Sequence, residues 1–142
     1  MMRCGELLVA DTALPVIKGV IAALKAAGAV VALVVDRVYS DVPQGATFPY
    51  IQVSIQSEPF AANDFSGQQH TVQIQTFSRK ASKAEALQVR AAALNALDRN
   101  EAAISLDSGT LVKCEYSGVS DAFIEDDGKT WQAVGELEVI VV

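Results

Sequence analysis

At 142 residues, with a formal net charge of -6 and a sequence pI near 4.6, the chain fits a single domain, residues 1–142, able to bury a core without disulfide or metal staples. The acidic balance excludes broad electrostatic capture of nucleic acid or anionic lipid, which takes clustered Lys and Arg. Cys4 and Cys114 lie far apart and show neither zinc nor redox spacing, so a reducing cytoplasm suits them, with Cys4 exposed and Cys114 in the core.

The N-terminal third is apolar, but Asp11, Pro15, Lys18, Lys25 and Asp36 interrupt it before the roughly 20 residues that a spanning helix needs. Glu6 and Asp11 precede its apolar part, where a secretory signal would be basic, so a soluble intracellular product is expected. Leu14, Ile17, Ile21 and Leu24 recur at helical spacing, with Thr12 as N-cap and Gly28 as stop, and predict a first helix. For Ala29 to Val35 the valines favour strand and the shortness allows a further helical turn; burial is expected either way.

The run from Arg37 to Val53 carries the most information. Pro43 suits the second position of a turn and Gly45 its end, so the chain is expected to reverse after Tyr39. Pro49, without an amide donor, belongs at the first residue of the next strand, and Tyr50 to Ile55 alternates as a half-buried strand. Ser57 to Gln69 is polar, with Pro59, Asn63, Asp64 and Gly67, and reads as a loop of about thirteen residues. Its two aromatics, Phe60 and Phe65, either anchor a partner or fold back on their own domain.

His70 to Ser78 alternates again as a third strand. Ser82-Lys83-Ala84-Glu85 matches a capping box and opens a second helix, with Leu87, Ala91, Leu94 and Leu97 on its apolar side and an end near Asp98 to Asn100. The last third reads as a long hairpin, Leu111 to Phe123 and Thr130 to Val142, turning at Asp126-Asp127-Gly128-Lys129, where both central residues tolerate positive φ. Trp131, Ala133, Leu137, Val139 and Val141 share one face of the last strand, yet Val134, Ile140 and Val142 make its other face apolar too. Such a strand is covered on both sides or meets another subunit. The fold class expected is α+β: one mainly antiparallel sheet of about four to five strands, mixed pairing left open, with two principal helices packed against it.

Little chemistry is signalled. His70 is the only histidine, so any Ser-His-Asp or Cys-His mechanism would have to use it, and its parity with Val72 and Ile74 marks it first as a structural residue. Asp64, Asp121, Glu125, Asp126 and Asp127 lack the periodicity of a calcium loop, and the scattered glycines form no P-loop or dinucleotide fingerprint. No metal or cofactor is nominated. Arg79, Lys80, Lys83 and Arg90 cluster around the start of the second helix without aromatic interleaving, which reads as a solvated face and not as a nucleic-acid reader.

The order helix, Arg37-Val38-Tyr39, Asp41-Val42-Pro43-Gln44-Gly45, Phe48-Pro49-Tyr50, Gly67 to His70, a strand, an Ala-rich helix with Leu94 and Leu97, and a final hairpin resembles the tail-completion or tail-terminator family of long-tailed bacteriophages and gene transfer agents. The likeness runs from Leu14 to the last strand, with the family's Val-Pro-Gln-Gly turn on Val42 to Gly45 and its Phe-Pro-Tyr strand entry on Phe48 to Tyr50. It implies a structural protein of the virion, not an enzyme, made in the host bacterial cytoplasm. It further implies a homo-oligomeric ring, typically a hexamer, on the head-proximal end of the tail tube, which ends tube polymerisation and offers a surface for head-tail joining. The implied partners are the tail tube protein and a neck or connector protein, with DNA only passing through the channel and no membrane. Phe60, Asp64, Phe65, Arg79, Lys80, Lys83, Asp126, Lys129, Ile140 and Val142 are the candidate subunit and partner contacts. The competing readings are another neck component, a small enzyme using His70 with Cys114 or a loop carboxylate, and a ligand-binding module between helices and sheet.

Overall fold

The computed structural model describes residues 11–62 and 65–142. In chain order its elements are α1 (Ala13–Ala26), α2 (Gly28–Val34), β1 (Val38–Tyr39), β2 (Tyr50–Ala62), β3 (Phe65–Ser78), α3 (Ala84–Leu97), a 3-10 turn at Glu101–Ala103, β4 (Leu111–Ile124) and β5 (Trp131–Val141). The strands form one five-stranded mixed sheet in the order β1-β2-β3-β5-β4, and the helices cover one face of it, giving an α+β architecture. Period-two alternation sets which face is covered. Along β5, Ala133, Gly135, Leu137, Val139 and Val141 are buried, while Gln132, Val134, Glu136, Glu138 and Ile140 look the other way. On the same covered face β3 contributes His70, Val72, Ile74 and Thr76, and β2 contributes Ile51 and Val53.

The helices close this core with Val16, Val20, Ala23 and Leu24 of α1, Val30 and Val34 of α2, and Ala86, Val89, Ala93, Leu94 and Leu97 of α3. Each fully buried large side chain, such as Leu24, Ile51, Ile74, Leu97 or Leu137, contributes about 1.5–3 kcal/mol. The buried stripe of α1 is rotated from the predicted one: Leu14 is 65 % exposed and Ile17 and Ile21 are only half-buried. Val16 and Val20 repeat at the same spacing as the predicted stripe, and packing against the sheet chose between two apolar faces. In α3, likewise, Ala91 is exposed and Leu87 half-buried, and the small residues Ala86 and Ala93 line the contact instead.

Ala29 to Val35 resolves as helix, with Val35 one residue past its end, but the expected burial holds only for Val30 and Val34; Leu33 is half-buried and Ala29, Val31, Ala32 and Val35 are exposed, because one face of a short helix meets the core. Val35 adopts φ 61° and ψ -109°, and the Arg37 N–H donates to the Val34 carbonyl across it. That is a tight turn over Val35 and Asp36 whose first central residue has glycine geometry but carries a β-branched side chain.

The Arg37 to Val53 run holds two strands, but they are parallel: Val38 lies beside Ile51 and Tyr39 beside Gln52. The expected reversal is undone by the connecting loop, which the Arg37 guanidinium pins by donating to the Pro49 carbonyl at 2.9 Å while the Arg37 carbonyl accepts from Ile51 N–H at 3.0 Å. Pro43 opens the turn as its first residue, accepting from Ala46 N–H, and Gly45 holds the positive φ at its third position. Pro49, preceded by a cis peptide bond, lies just before β2.

The predicted Ser57 to Gln69 loop is instead a continuation of the β2–β3 hairpin, paired from Tyr50↔Phe77 out to Ala62↔Phe65. The sequence hides it because the ladder satisfies the backbone whatever the side chains, and this polar segment carries no apolar alternation to mark a strand. β5 reaches only as far as Gln68, so the last pairs of this hairpin project past the sheet as a two-stranded arm. The capping box does not form: Lys83 occupies the cap position without a side-chain bond, because Glu85 accepts from the Ser78 hydroxyl at 2.6 Å and Ser82 reaches only Ala84 N–H. Thr12 also makes no side-chain cap on α1, its hydroxyl being bonded elsewhere, and Asp11 accepts from Ala13 N–H in its place.

Gly67 marks the base of the arm. A Cβ there would lie 2.1 Å from the Val141 carbonyl oxygen, in backbone that cannot give way. Gly67→Ala is therefore expected to lower unfolding free energy by about 2 kcal/mol, read from urea denaturation with an unchanged slope.

Candidate interaction surfaces

The one histidine sits in the core with no exposure, between two hydroxyls: Ser57 Oγ at 2.7 Å from Nδ1 and Thr12 Oγ1 at 2.8 Å from Nε2. Thr12 donates its hydroxyl proton to Gln68 Oε1 at 2.9 Å, and its N–H donates to the same oxygen at 2.6 Å. Nε2 must then carry the proton and donate to Thr12, while Nδ1 accepts from Ser57. Every polar atom of the ring is satisfied in the neutral form. Burial lowers the His70 pKa, with a smaller opposing pull from Asp11. The other nucleophile, Cys114, is buried on β4, and desolvation followed by the charges of Glu101, Asp98 and Glu115 pushes its thiol up to about 12. His70 bonds hydroxyls and Cys114 is a shielded thiol, so the pair is structural on both sides. Among the described residues no group of three or more His, Cys, Asp or Glu could hold a metal ion.

What remains is surface. The uncovered face of the sheet is a polar ladder: Ser54 donates to Gln75 at 3.0 Å, Gln69 to Glu138 at 2.8 Å, and Lys113 pairs with Glu138 at 2.5 Å and Glu115 at 3.7 Å. The hydrogen bond that Lys113 donates to Glu138 raises the Lys113 pKa, so the cation there stays charged and paired. Gln52, Gln56, Gln73 and Gln132 extend the ladder, and a shallow groove of about 480 Å³ runs across Gln73, Gln75, Phe123, Val134 and Glu136.

At one end of this face stands an aromatic corner. Tyr50 stacks on Phe77 at 4.8 Å and meets Phe48 at 5.2 Å and Tyr39 at 6.0 Å, each pair contributing about 0.5–1.5 kcal/mol. The strand entry Phe48-Pro49-Tyr50 thus also supplies two rings of an aromatic cluster. The Arg79 guanidinium lies 4.4 Å from the Phe48 ring, donates to Thr130 Oγ1 at 3.0 Å and stands 3.6 Å from Asp127. Asp127 organises the β4–β5 tip: Thr130 hydroxyl donates to one oxygen at 2.6 Å, and the N–H groups of Lys129 and Thr130 donate to the other at 2.9 Å. These bonds hold its carboxyl down at about 2. Only Gly128 of the tip has positive φ, so the turn takes its geometry from one glycine and the Asp127 bonds, not from two central residues.

The candidate contact residues divide between two ends of the sheet. Arg79, Lys80, Lys83, Asp126 and Lys129 lie at the end where β3 stops and the β4–β5 tip turns, all five exposed. Phe60 and Phe65 lie on the paired arm at the other end, and Asp64 lies outside the described residues, as does Cys4. Ile140 and Val142 sit at the arm's base, where Val142 exchanges both backbone bonds with Thr110. β3, from Phe65 to Ser78, separates the two ends by about 40 Å. Sequence reading missed a third feature on the covered side: Tyr116 and the edge strand β4, whose register slips between Tyr116 and Ser120. No composition signal marks such a bulge beyond Gly118, whose φ is +88°.

Because the folded-state pKa of His70 lies below its unfolded value near 6.5, the unfolded chain takes up the proton first. The contribution is whole above about pH 6.5 and is lost as pH falls from there toward the depressed value. Thermal melts at pH 7.5 and 5 should show a drop in melting temperature that His70→Gln diminishes; an equal drop in both proteins would exclude His70 as its source.

The family model for tail completion protein gp17 matches residues 18–142. Among solved structures, a chain of the virion of a native gene transfer agent particle superposes with a TM-score of 0.83 at 22 % identity, over 92 % of this chain and 97 % of that one. No curated protein matches.

Proposed function

The chain belongs to the family of tail completion protein gp17, a family of structural virion proteins and not of enzymes, and from that premise we propose that it caps the head-proximal end of a tail tube as a ring. In that position it ends tube polymerisation and presents the surface on which the head is joined. The match over residues 18–142 carries this reading, and the fold shared with a virion chain over 92 % of this one supports it. A joint between two different structures needs two different contact ends. The arm bearing Phe60 and Phe65, with Ile140 and Val142 at its base, supplies one, and the corner of Arg79, Lys80, Lys83, Asp126 and Lys129 supplies the other.

The polar face suits a channel wall. Its glutamines are neutral, Glu136 and Glu138 are acidic, and its Lys113 is matched by two carboxylates, so a DNA backbone finds no free cation cluster there to hold it. Partners in this reading are further copies of the chain, the tube protein and a neck protein, all within the virion.

Particles made without the chain should show tubes of uncontrolled length and heads without tails by electron microscopy, with both defects restored by supplying it. Tails of native length joined to heads in its absence would overturn the proposal.

A further inference from the structure

Val35 is a residue out of place in the monomer. Its φ of 61° and ψ of -109° belong to glycine, a β-branched side chain there is strained, and the side chain is 55 % exposed, so its packing within the subunit does little to offset the strain. Val31, one turn earlier on α2, is 38 % exposed, and Asp36 follows directly, also exposed. Together they make an apolar knob with a negative rim, at the point where α2 passes into the edge strand β1.

The opposite edge of the same sheet carries the complement. Between α3 and β4 lies a cleft of about 250 Å³, lined by Arg90, Ala91, Leu94, Asn95, Asp98 and Tyr116, on the side that the helices cover. Arg90 at its rim donates to the carbonyls of Asp121 at 2.9 Å and Val134 at 3.2 Å and forms no ion pair among the described residues, while Asp98 on the same lining accepts from Tyr116 N–H. The strand edge beside the cleft is closed to another strand. Cys114 N–H donates to Glu101 at 3.0 Å, its carbonyl accepts from Arg99 N–H at 2.7 Å, Tyr116 N–H donates to Asp98 at 2.8 Å, and Arg90 occupies the Asp121 carbonyl. A neighbour on that side must therefore engage side chains.

We propose that the knob of Val31 and Val35 on one copy seats in the α3–β4 cleft of the next, with Asp36 meeting Arg90. The knob and cleft are different patches on opposite edges of one sheet, so each contact leaves one of each open, and repetition makes a ring when the rotation between copies is a whole fraction of a turn. This rests on the ring reading above and names the surfaces that build it.

Val35→Gly separates the two roles of the residue. The variant chain should melt about 3 °C higher as a monomer, since strain is relieved, yet associate at least about tenfold more weakly in sedimentation and fail to complete tails. Ala91→Trp, which fills the cleft from an exposed position, should show the same loss of assembly with no gain in melting temperature. In a Cys4→Ser background, mixing Val35→Cys chains with Asn95→Cys chains should give disulfide-linked pairs of unlike chains in assembled tails. Rings that form unchanged with Val35→Gly and Ala91→Trp, or cross-links only between two Val35→Cys chains, would overturn this contact and leave the ring reading standing. A native chain that is monomeric in solution and in tails would overturn both.

Discussion

One constraint governs the molecule: β3 is paired along both of its edges while only one of its faces is covered by helices. Pairing on both sides fixes the register of β2 and β5 against it, and a slip of one residue would turn His70, Val72, Ile74 and Thr76 out of the core together. The helix layer can then be loosely specified in sequence and still land correctly, because the apolar face it must cover is already set. The uncovered face is released from any packing duty. It is free to be a ladder of amides and carboxylates, whose worth lies in its polarity.

This explains what could be read from the residues. β5 and the inner part of β3 announce themselves, since a half-buried strand must alternate. The β4–β5 turn is legible for the same local reason, although Asp127 and its bonds to Thr130 do more there than the glycine does. Where burial on one face ceases to discriminate, the reading failed. The hairpin beyond Ser57 is polar and lacks apolar alternation, so its strands look like loop. α1 offers two apolar stripes, and only contact with the sheet selects Val16 and Val20 over Leu14 and Ile17. The parallel pairing of β1 depends on Arg37 clasping Pro49, a bond across twelve positions that no local pattern encodes. Of the proposed interaction surfaces, the charged corner is visible as composition, whereas the knob at Val35 depends on a backbone angle and the cleft at Tyr116 lies beside a register slip that no pattern marks.

The chemistry of the interior bears on function by what it does not leave free. His70 and Cys114 are the side chains a catalytic reading would recruit, and each is committed: the imidazole to two hydroxyls, the thiol to a site where burial and three carboxylates hold its proton. A protein of the gp17 tail completion family has no use for a reactive centre. The ring proposed above asks for different surfaces at the ends and edges of one body, and the sheet's strands differ in length from two residues in β1 to fourteen in β3.

The bonds around His70 also have a mechanical side. Ser57 lies on one strand at the root of the arm, Gln68 and His70 lie on the other, and Thr12 begins the first helix, so a single buried node ties the projecting hairpin to the helix layer. Beyond that node the arm is a cantilever. Ser57 and Gln68 hold its two strands and Thr12 heads α1, so the hairpin and the helix layer cannot shift against one another without breaking buried hydrogen bonds.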